Sequence, residues 1–362
     1  MIGILGGGQL ARMLALAGHP LGERFAALDP SSTSGVRDLA HLIVDSYEDP
    51  AALDWLAEHC DVVTHEFERV PAASARRIAG RTPVHPNPNV LDVAQDRLSE
   101  KELFARIGLD TPAFATASTR AELDVAVASV GVPAVVKTRR DGYDGKGQFI
   151  VRADADLGRC WNDLGDGRDL IAEAWVDFDR ELSVLAARST VGETAFYPVV
   201  ENLHRDGILR VSRAPAPGLA PDMQSAAESH ARSIMTELDY VGVIAIELFQ
   251  VGAQLLGNEM APRVHNSGHW TIEGAVTSQF ANHLRAITGR PLGSTRALGH
   301  AAMVNLIGTL PDLDEVLRVE GAHLHLYDKQ PRPGRKLGHL TLVDDDPEAL
   351  EARLGRLQAL VD

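Results

Sequence analysis

The sequence has little cysteine and little positive charge. Its 362 residues hold two cysteines, Cys60 and Cys160, which are too few and too far apart for a disulfide framework or a zinc site. We therefore expect two buried thiols in a reducing compartment. Lysine and arginine number 35 against 50 aspartates and glutamates, giving a formal net charge of -15. Because a nucleic-acid surface needs a clustered basic face, this balance argues against a nucleic-acid partner.

Long apolar runs are also missing. No window approaches 18 consecutive apolar residues, so we expect no membrane span and no membrane partner. The first ten residues, MIGILGGGQL, lack the charged region and long apolar run of a signal peptide. With 45% hydrophobic residues and a length suited to two or three domains, the chain is expected to be a cytoplasmic globular protein.

Glycine is concentrated in a loop that follows a short strand. Residues 134–148, AVVKTRRDGYDGKGQ, begin as an apolar strand ending at Lys137 and continue into a loop with Gly142, Gly145 and Gly147 around Lys146. Glycines let a backbone approach a ligand closely, and successive N–H groups form an anion-binding concavity. The stretch is typical of a flexible lid over phosphates. A hairpin turn with solvated basic side chains is the alternative.

The N-terminus carries a second glycine turn. A strand over residues 2–5 leads into Gly6-Gly7-Gly8 and a helix whose apolar positions recur at helical spacing, and Asp29 ends the next strand. This pattern suits a dinucleotide, any other phosphate-bearing ligand, or a tight turn without a ligand. Further strands at 42–44 and 61–67 predict an open α/β domain of roughly 90 residues.

Two carboxylates are expected to face each other on a later hairpin. Glu247 and Glu259 are centred on Ala253, so a hairpin over residues 243–259 places them at neighbouring cross-strand positions. Adjacent carboxylates repel unless a cation lies between them, and Asn258 adds a neutral oxygen. Few hard oxygen ligands are what Mg²⁺ uses with a nucleotide. A pair of surface glutamates is the alternative.

Two loops bring further polar residues. Residues 261–270, APRVHNSGHW, concentrate Arg263, His265 and Asn266, a mixture suited to a small oxyanion. The turn KQPRPGRK, residues 329–336, is the densest positive cluster in an acidic chain, and is predicted to clamp a phosphate. Its alternative is a protruding turn with solvated charges.

The remaining segments are predicted mainly as secondary structure, with few residues assigned to a function. A helix over 96–107 carries Arg97 and Lys101 one turn apart, which alone suggests a solvated face. Strands are expected over 170–176, with Glu173 among apolar neighbours, and over 181–189. Residues 195–217 are predicted to form a hairpin turning at Asp206-Gly207, near His204.

Together these motifs resemble the ATP-grasp superfamily and, within it, the 5-(carboxyamino)imidazole ribonucleotide synthase family. The segments that carry the resemblance are GGGQLARM (6–13), GYDGKGQ (142–148), NLHRDGILRVSRAPA (202–216), NEMAPRVHNSGHW (258–270) and YDKQPRPGRKLGH (327–339). The resemblance implies an N-terminal open Rossmann-like (pre-ATP-grasp) domain over 1–95. An ATP-grasp domain over 96–290 would follow, with a glycine-rich lid at about 115–176, and then a small C-terminal β-rich domain over 291–362.

The resemblance also implies the site residues. Those implied to bind ATP are Arg97, Lys137, Gly142, Tyr143, Asp144, Gly145, Lys146, Gly147, Gln148, Glu173, Ala174, Trp175, Val176, Glu181, His204, Asn258 and Glu259. Glu173 through Val176 would meet adenine and Glu181 the ribose. Glu247 and Glu259 match magnesium carboxylates. Those implied to hold the ribonucleotide are Gly8, Gln9, Leu10, Glu66, Tyr143, Asp144, Lys329, Arg335 and Lys336. Arg263, His265 and Asn266 would hold bicarbonate and the carboxyphosphate formed from it.

The implied reaction is the ATP- and bicarbonate-dependent carboxylation of 5-aminoimidazole ribonucleotide. Bicarbonate would attack the γ-phosphoryl group of Mg·ATP, and the exocyclic amine would then attack carboxyphosphate or CO₂ released from it. Asp144 or His265 could accept the amine proton, and the sequence leaves both open. A homodimer is expected on the resemblance only.

Three other functions fit parts of the sequence less well. Another ATP-grasp ligase, such as a formate-using ribonucleotide transformylase or a biotin carboxylase, would differ before Lys146 and lack the ending RPGRKLGH. An NAD-linked oxidoreductase would leave the carboxylate hairpin and both polar loops unexplained. A non-catalytic nucleotide-binding protein would be expected to have lost Lys137, Glu247 or Glu259, and all three are intact.

Overall fold

The first part of the chain forms a parallel sheet whose carboxyl edge carries the glycine turn. The structure is a computed structural model that describes residues 1–142, 147–165 and 167–361. Its strand order is β3-β2-β1-β4, and three of the strands are buried along their whole length. The elements are β1 (Ile2–Leu5), α1 (Gln9–Gly18), β2 (Phe25–Leu28), β3 (His41–Ile43), α2 (Pro50–His59), β4 (Val62–His65), α3 (Ala72–Ala79) and α4 (Pro88–Ala94). Residues following β1 and β4 therefore meet at one edge.

A small antiparallel sheet holds the ends of the glycine-rich loop. Its order is β5-β8-β6-β7, and β6 pairs with β7 as a hairpin on either side of the loop. Two helices cover one face through a cluster of small and aliphatic side chains. The elements are α5 (Arg97–Arg106), β5 (Phe114–Ala117), α6 (Arg120–Val130), β6 (Ala134–Thr138), β7 (Gln148–Val151), α7 (Leu157–Leu164) and β8 (Leu170–Ala174).

The rest of the chain is built on one nine-stranded sheet. Its order is β14-β13-β9-β11-β12-β15-β17-β16, with β10 paired to β9. The strands are β9 (Arg180–Arg188), β10 (Thr194–Phe196), β11 (Val200–Arg205), β12 (Ile208–Ala214), β13 (Gly242–Val251), β14 (Gln254–Ala261), β15 (His300–Ile307), β16 (His323–Leu326) and β17 (Lys336–Asp344). The helices are α8 (Pro221–Glu237), α9 (Thr271–Gly274), α10 (Gln279–Ile287), α11 (Leu313–Leu317) and α12 (Pro347–Val361).

The predicted fold class is confirmed, and the large sheet adds a feature that the sequence did not show. The C-terminal strands β15, β17 and β16 continue the same sheet from β12, so the C-terminal part shares its backbone ladder with the middle part of the chain. Helix α12 packs over β15 and β17 through a cluster that also includes Val211 of β12. No helix within the described ranges is long and apolar enough to cross a membrane.

Two local predictions differ from the structure. Residues 195–217 are not one hairpin: β10 pairs with β9, and only β11 and β12 form the hairpin at Asp206-Gly207. The sequence also did not predict β15, whose run HAAMVNLI is almost entirely buried. Its buried polar residue, Asn305, contacts a residue of the site described below.

Candidate functional site

A cavity of about 780 Å³ lies where the three sheets meet. Most of the residues singled out in the sequence line it: Gln9, Leu10, Glu66, Arg97, Lys137, Gly142, Gln148, Glu173, Ala174, Trp175, Val176, Glu181, His204, Glu247, Asn258, Glu259, Arg263, His265, Asn266, Lys329 and Lys336. Gly8, Gly147 and Arg335 do not line it. Tyr143, Asp144, Gly145 and Lys146 lie outside the described residues, so their predicted roles stay predictions.

The two predicted metal carboxylates are cross-strand partners. Strands β13 and β14 join through a two-residue turn after Val251, and a β-bulge lies further along the ladder. Leu248 pairs with Gly257 and Glu247 with Glu259, so Asn258 is the extra residue of the bulge. The bulge shifts the register by one residue and thereby sets Glu247 directly opposite Glu259.

The electrostatics of this pair suit a cation. Burial, reinforced by the charge of Glu259, raises the pKa of Glu247 to about 7. Burial acts in the same direction on Glu259, but Arg97 and Lys137 outweigh it and lower the pKa of that carboxyl. The Arg97 Nη1 atom lies 3.0 Å from Glu259 Oε2.

Magnesium fits these residues. Two adjacent carboxylates with an amide oxygen beside them are hard ligands, and Mg²⁺ uses few protein ligands when phosphates and water complete its shell. Within the described ranges no group of three or more histidine, cysteine or acidic side chains forms a denser metal site. Glu247 and Glu259 would hold the ion.

The Glu173 carboxylate contacts two lysine side chains at the cavity. Its Oε2 atom accepts a hydrogen bond from Lys137 Nζ at 3.1 Å and lies 3.2 Å from Lys101 Nζ. Burial raises the pKa of Glu173, but the two lysines outweigh this and lower it. Its Oε1 atom is buried without a partner among the described residues. The carboxylate that the sequence assigned to the adenine edge therefore also orients the predicted phosphate lysine.

An apolar wall lies beside this group. Phe178 and Phe249 stack with ring centroids 4.8 Å apart. Other apolar residues on the wall are Val135, Ile150, Ala174, Trp175 and Val176. Such a wall next to a few fixed polar atoms is the usual lining for a planar heterocycle.

The loop after β14 projects the predicted oxyanion residues into the cavity. Arg263 Nη2 lies 2.6 Å from Glu68 Oε1, and its Nε atom is buried without a partner among the described residues. Burial works against the charge of Arg263, but Glu68 outweighs it and raises the pKa. Asn266 and Asn305 exchange two amide hydrogen bonds, of 3.0 and 2.8 Å.

His265 lies between the oxyanion loop and the carboxylate pair. Its Nε2 atom is 3.3 Å from Glu247 Oε1, and its Nδ1 atom is 2.9 Å from the Ser267 hydroxyl. Burial, together with the charge of Arg263, holds the pKa of His265 well below its ordinary value. Across the sheet, His204 Nδ1 is 2.6 Å from Glu181 Oε2.

The N-terminal glycine turn is capped by the protein's own carboxylate. Glu66 accepts hydrogen bonds from the backbone N–H groups of Gly8 and Ala11, the latter at 2.9 Å. Lys329 donates to the side-chain oxygen of Gln9, which connects the basic turn to this helix. Arg335 instead donates to the Gln330 carbonyl at 3.2 Å, so it belongs to the fold of the turn itself.

Asp29, the carboxylate that would bind the ribose of a dinucleotide, already accepts hydrogen bonds from the protein itself. Asp29 accepts hydrogen bonds from the Gly7 N–H at 2.8 Å and from the Tyr47 hydroxyl at 3.0 Å. The Ser31 N–H donates to it as well, at 2.8 Å. The side chain therefore fixes the turn, which leaves the dinucleotide interpretation without its ribose ligand.

Three residues that matter to the geometry were not assigned from the sequence. Lys101 is 1% exposed, so the solvated face suggested by its spacing is wrong. Glu68 lies in the turn that follows β4, where no periodic pattern indicates the direction of a side chain. Asn305 gave no signal, since its strand was not predicted.

Three family models match the chain. They are the ribonucleotide synthetase preATP-grasp domain over residues 1–95, the ATP-grasp domain over 102–280 and the phosphoribosylaminoimidazole carboxylase C-terminal domain over 301–353. The N5-carboxyaminoimidazole ribonucleotide synthase of Pseudomonas aeruginosa is 48% identical over 361 residues, covering 100% of this chain and 99% of the relative. The enzyme of that name from Escherichia coli is 41% identical over 361 residues, covering 99% and 94%.

Solved structures agree in fold over the whole chain. N5-carboxyaminoimidazole ribonucleotide synthetase from Thermus thermophilus is 55% identical, with a TM-score of 0.96 and coverage of 100% of this chain and 99% of that one. An N5-carboxyaminoimidazole synthase from Aspergillus clavatus, solved with ADP and 5-aminoimidazole ribonucleotide, is 31% identical. Its TM-score is 0.93, and the match covers 100% and 98%.

Proposed function

Because the chain belongs to the N5-carboxyaminoimidazole ribonucleotide synthase family of ATP-grasp ligases, we propose that it carboxylates 5-aminoimidazole ribonucleotide. ATP and bicarbonate are the co-substrates. The products are 5-(carboxyamino)imidazole ribonucleotide, ADP and phosphate, in de novo purine biosynthesis. The observation that carries the proposal is that one cavity unites the carboxylate pair, the oxyanion loop and the basic turn.

The cavity divides into three parts by chemistry. ATP occupies the apolar wall and the Lys137–Glu173 group, and its phosphates reach Arg97 and the carboxylate pair. Bicarbonate lies against Arg263, His265 and Asn266. The ribonucleotide lies toward Gln9, Glu66 and Lys329. Tyr143, Asp144, Lys336 and the remaining loop residues keep the roles that the family resemblance gives them.

The residues act mainly by position and charge. Arg97 and Lys137 stabilise the charge that develops on the transferred phosphoryl group, while Arg263 holds the attacking bicarbonate. Glu247 and Glu259 would hold magnesium, which would supply neutralisation of the phosphate charge. Carboxyphosphate reacts with water, so the glycine-rich loop is needed as a lid while the amine attacks.

The test is ADP release from Mg·ATP with each substrate omitted in turn. We expect the full rate only with bicarbonate and 5-aminoimidazole ribonucleotide together. Turnover indifferent to the ribonucleotide would contradict the assignment, and dependence on formate or biotin would favour another ATP-grasp ligase. Oxidation of NAD(P)H would restore the oxidoreductase.

The basic turn offers a matched pair of variants for the ribonucleotide site. Lys329 lines the cavity and contacts Gln9, whereas Arg335 bonds within its own turn. Lys329→Glu should raise the KM for the ribonucleotide about tenfold or more, since a charged contact is lost, with the KM for ATP unchanged. Arg335→Glu is the control and should change the KM less. Equal effects would mean that the turn acts only through net charge.

We also propose the domain division 1–95, 96–290 and 291–362, with the lid at about 115–176. The matched family ranges and the four-stranded sheet from Phe114 to Ala174 support it. A homodimer is proposed on family resemblance, and a cytoplasmic location is proposed from the composition of the chain. Light scattering of the purified chain and a fluorescent fusion in cells test these two proposals.

A further inference from the structure

A chain of buried polar side chains runs beneath the cavity and ends at His265. Ser212 Oγ is 2.8 Å from Asn202 Oδ1, and Asn202 Nδ2 is 3.0 Å from Ser183 Oγ. Ser183 Oγ is 2.8 Å from Ser267 Oγ, which is 2.9 Å from His265 Nδ1. The two serines of the sheet and Ser267 are fully buried, and Asn202 is 5% exposed.

The sheet register explains why these side chains meet. Asn202 is paired with Ser212, and Ser183 is paired with Glu247, so the network lies on the face that carries the carboxylate pair. Aliphatic residues normally fill such interior strand positions. A buried hydroxyl or amide is stabilised only when its hydrogen bonds are made, and here each bond depends on the next.

The hydrogen bonds have one direction. The Asn202 amide donates to Ser183 Oγ, and the Ser183 hydroxyl donates to Ser267 Oγ. The Ser267 hydroxyl then donates to His265 Nδ1. The backbone N–H of Ser267 points at the same Nδ1 atom at 3.3 Å, and an N–H group can only donate. Nδ1 is therefore the acceptor.

The surroundings of the other ring nitrogen are compatible with this assignment. His265 Nε2 lies 3.3 Å from Glu247 Oε1, and a carboxylate oxygen accepts hydrogen bonds. Because Nδ1 accepts the Ser267 N–H, the neutral ring of His265 carries its proton on Nε2. That N–H lies on the cavity side, where the oxyanion residues Arg263 and Asn266 also project.

We propose that Ser212, Asn202, Ser183 and Ser267 are positioning residues that hold His265 as the Nε2–H tautomer. His265 then serves as a hydrogen-bond donor to the oxyanion and does not accept the amine proton. This rests on the proposed function for the identity of the oxyanion, but not for the tautomer. Of the two acceptors that the sequence left open, Asp144 remains.

The tautomer can be observed without any substrate. The full-length protein is labelled with ¹⁵N-histidine, and the His265 signals are assigned by their loss in His265→Gln. We expect a protonated Nε2 and an unprotonated Nδ1. In Ser183→Ala, which breaks the network in its middle, signal from the Nδ1–H form should appear. A wild-type ring protonated on Nδ1 would overturn the proposal.

Kinetics supply the second readout. Ser183→Ala should lower kcat about 10- to 100-fold, the range seen when a supporting partner of a functional ligand is removed, while the KM for ATP stays unchanged. Ser267→Thr retains the hydroxyl and should keep most activity, whereas Ser267→Ala should not. Ser189→Ala is the matched control, because this serine is 1% exposed and its hydroxyl accepts from the Glu193 N–H at 3.1 Å, a bond outside the network.

The outcomes separate the two proposals. The expected tautomer in a protein whose ADP release ignores the ribonucleotide would keep the network and remove the proposed function. Normal kcat and an unchanged tautomer in Ser183→Ala would remove the network alone. If Ser183→Ala fails to fold, the proposal is tested by the tautomer in the wild-type spectrum. It is also tested by the difference in kcat between Ser267→Thr and Ser267→Ala.

Discussion

Glu259 lies between a second carboxylate and an arginine, and these two neighbours determine its charge. It faces Glu247 across the ladder and Arg97 at 3.0 Å. The arginine stabilises the carboxylate, so the side chain stays charged and available to a cation. The residue is therefore committed to function more than to folding, because two adjacent carboxylates contribute repulsion to the folded state.

Replacing Glu259 by glutamine should separate these two contributions. We expect ADP formation to fall on the order of 100-fold or more, as for removal of a charge-stabilising group, while unfolding in urea stays cooperative. Glu201→Gln is the control, since this glutamate pairs with Arg180 at 3.1 Å on the same sheet, away from the cavity. Near-normal turnover in Glu259→Gln would remove the metal assignment.

His283 links the N-terminal sheet to the large sheet and should make stability depend on pH. Its Nε2 atom is 2.9 Å from Thr64 Oγ1, and its Nδ1 accepts from the Val243 N–H at 3.1 Å. Burial, with the charges of two nearby histidines, lowers its pKa to about 3. In the unfolded chain the pKa is about 6.5. The unfolded state thus binds more protons, and stability falls as the pH drops from about 6.5 toward 3.

At pH 5 this one group should cost about 2 kcal/mol of unfolding free energy relative to pH 7. His283→Gln can keep hydrogen bonds without the titration, so its stability should fall less over the same range. The exposed His323→Gln serves as control and should follow the wild-type curve. The measurement is urea unfolding at several pH values. Parallel curves for wild type and His283→Gln would contradict the assignment.

At the scale of elements, helix α5 depends on a clamp at its N-cap residue, Asp96. Asp96 caps the helix by accepting from the Leu98 N–H at 3.0 Å. The same carboxylate accepts from Arg139, at 3.0 and 2.6 Å, and from Arg140 at 3.1 Å. Because both arginines follow β6 at the start of the glycine-rich loop, the clamp ties that loop to the helix that carries Arg97.

Two substitutions at Asp96 should separate the effect of the helix cap from the effect of the ion pairs with the two arginines. Asp96→Ala loses cap and ion pairs and should destabilise the fold by about 3 kcal/mol. Asp96→Asn keeps a cap and should cost less, yet both should raise the KM for ATP because Arg97 is displaced. Asp49 caps α2 through the Ala52 N–H at 2.8 Å, so Asp49→Ala is the control, with an unchanged KM. An equal change of KM in Asp49→Ala would show that loss of any cap suffices.

The sequence predicted the elements that carry the site better than the details that orient them. The cross-strand pairing of Glu247 and Glu259 is confirmed, but for a reason the sequence did not show. The turn is centred before Ala253, and the bulge at Asn258 restores the register. A bulge adds one unpaired residue without changing the apolar pattern, so periodicity cannot reveal it.

Other misses have equally local causes. Asn305 sits in a buried strand of small and apolar residues, and its partner Asn266 comes from a distant loop. The direction of Arg335 could not be predicted, because side chains in an irregular turn follow no period. Lys101 looked solvated because helical spacing alone does not show that Glu173 lies against that face.

At the scale of the whole molecule, the continuous sheet makes the C-terminal part indispensable to the fold. Strand β12 pairs with β15 from Val211 to Ala214, and the cluster under α12 spans both. A chain ending at Arg290 would expose the edge of β12 and that apolar face. We expect it to aggregate, or to lack a cooperative urea transition and ATP binding.

Full-length Lys329→Glu is the matched control for the truncation. It changes the basic turn but keeps every strand, so it should unfold cooperatively and bind ATP normally. A truncated chain that does the same would show that the first 290 residues fold alone. The C-terminal strands would then pair with the sheet without being needed for the first 290 residues to fold.

The strand order also bears on how the chain is made on the ribosome. β12 ends at Ala214, while its neighbour β15 begins only at His300. Translation proceeds at about 5–20 residues per second, so the edge of β12 stays unpaired for on the order of ten seconds before β15 has been synthesised. During that interval the nascent chain presents unpaired backbone groups to other chains emerging nearby. Production in cells should therefore depend on chaperones that bind nascent chains, and slow translation between these two strands should lower the yield.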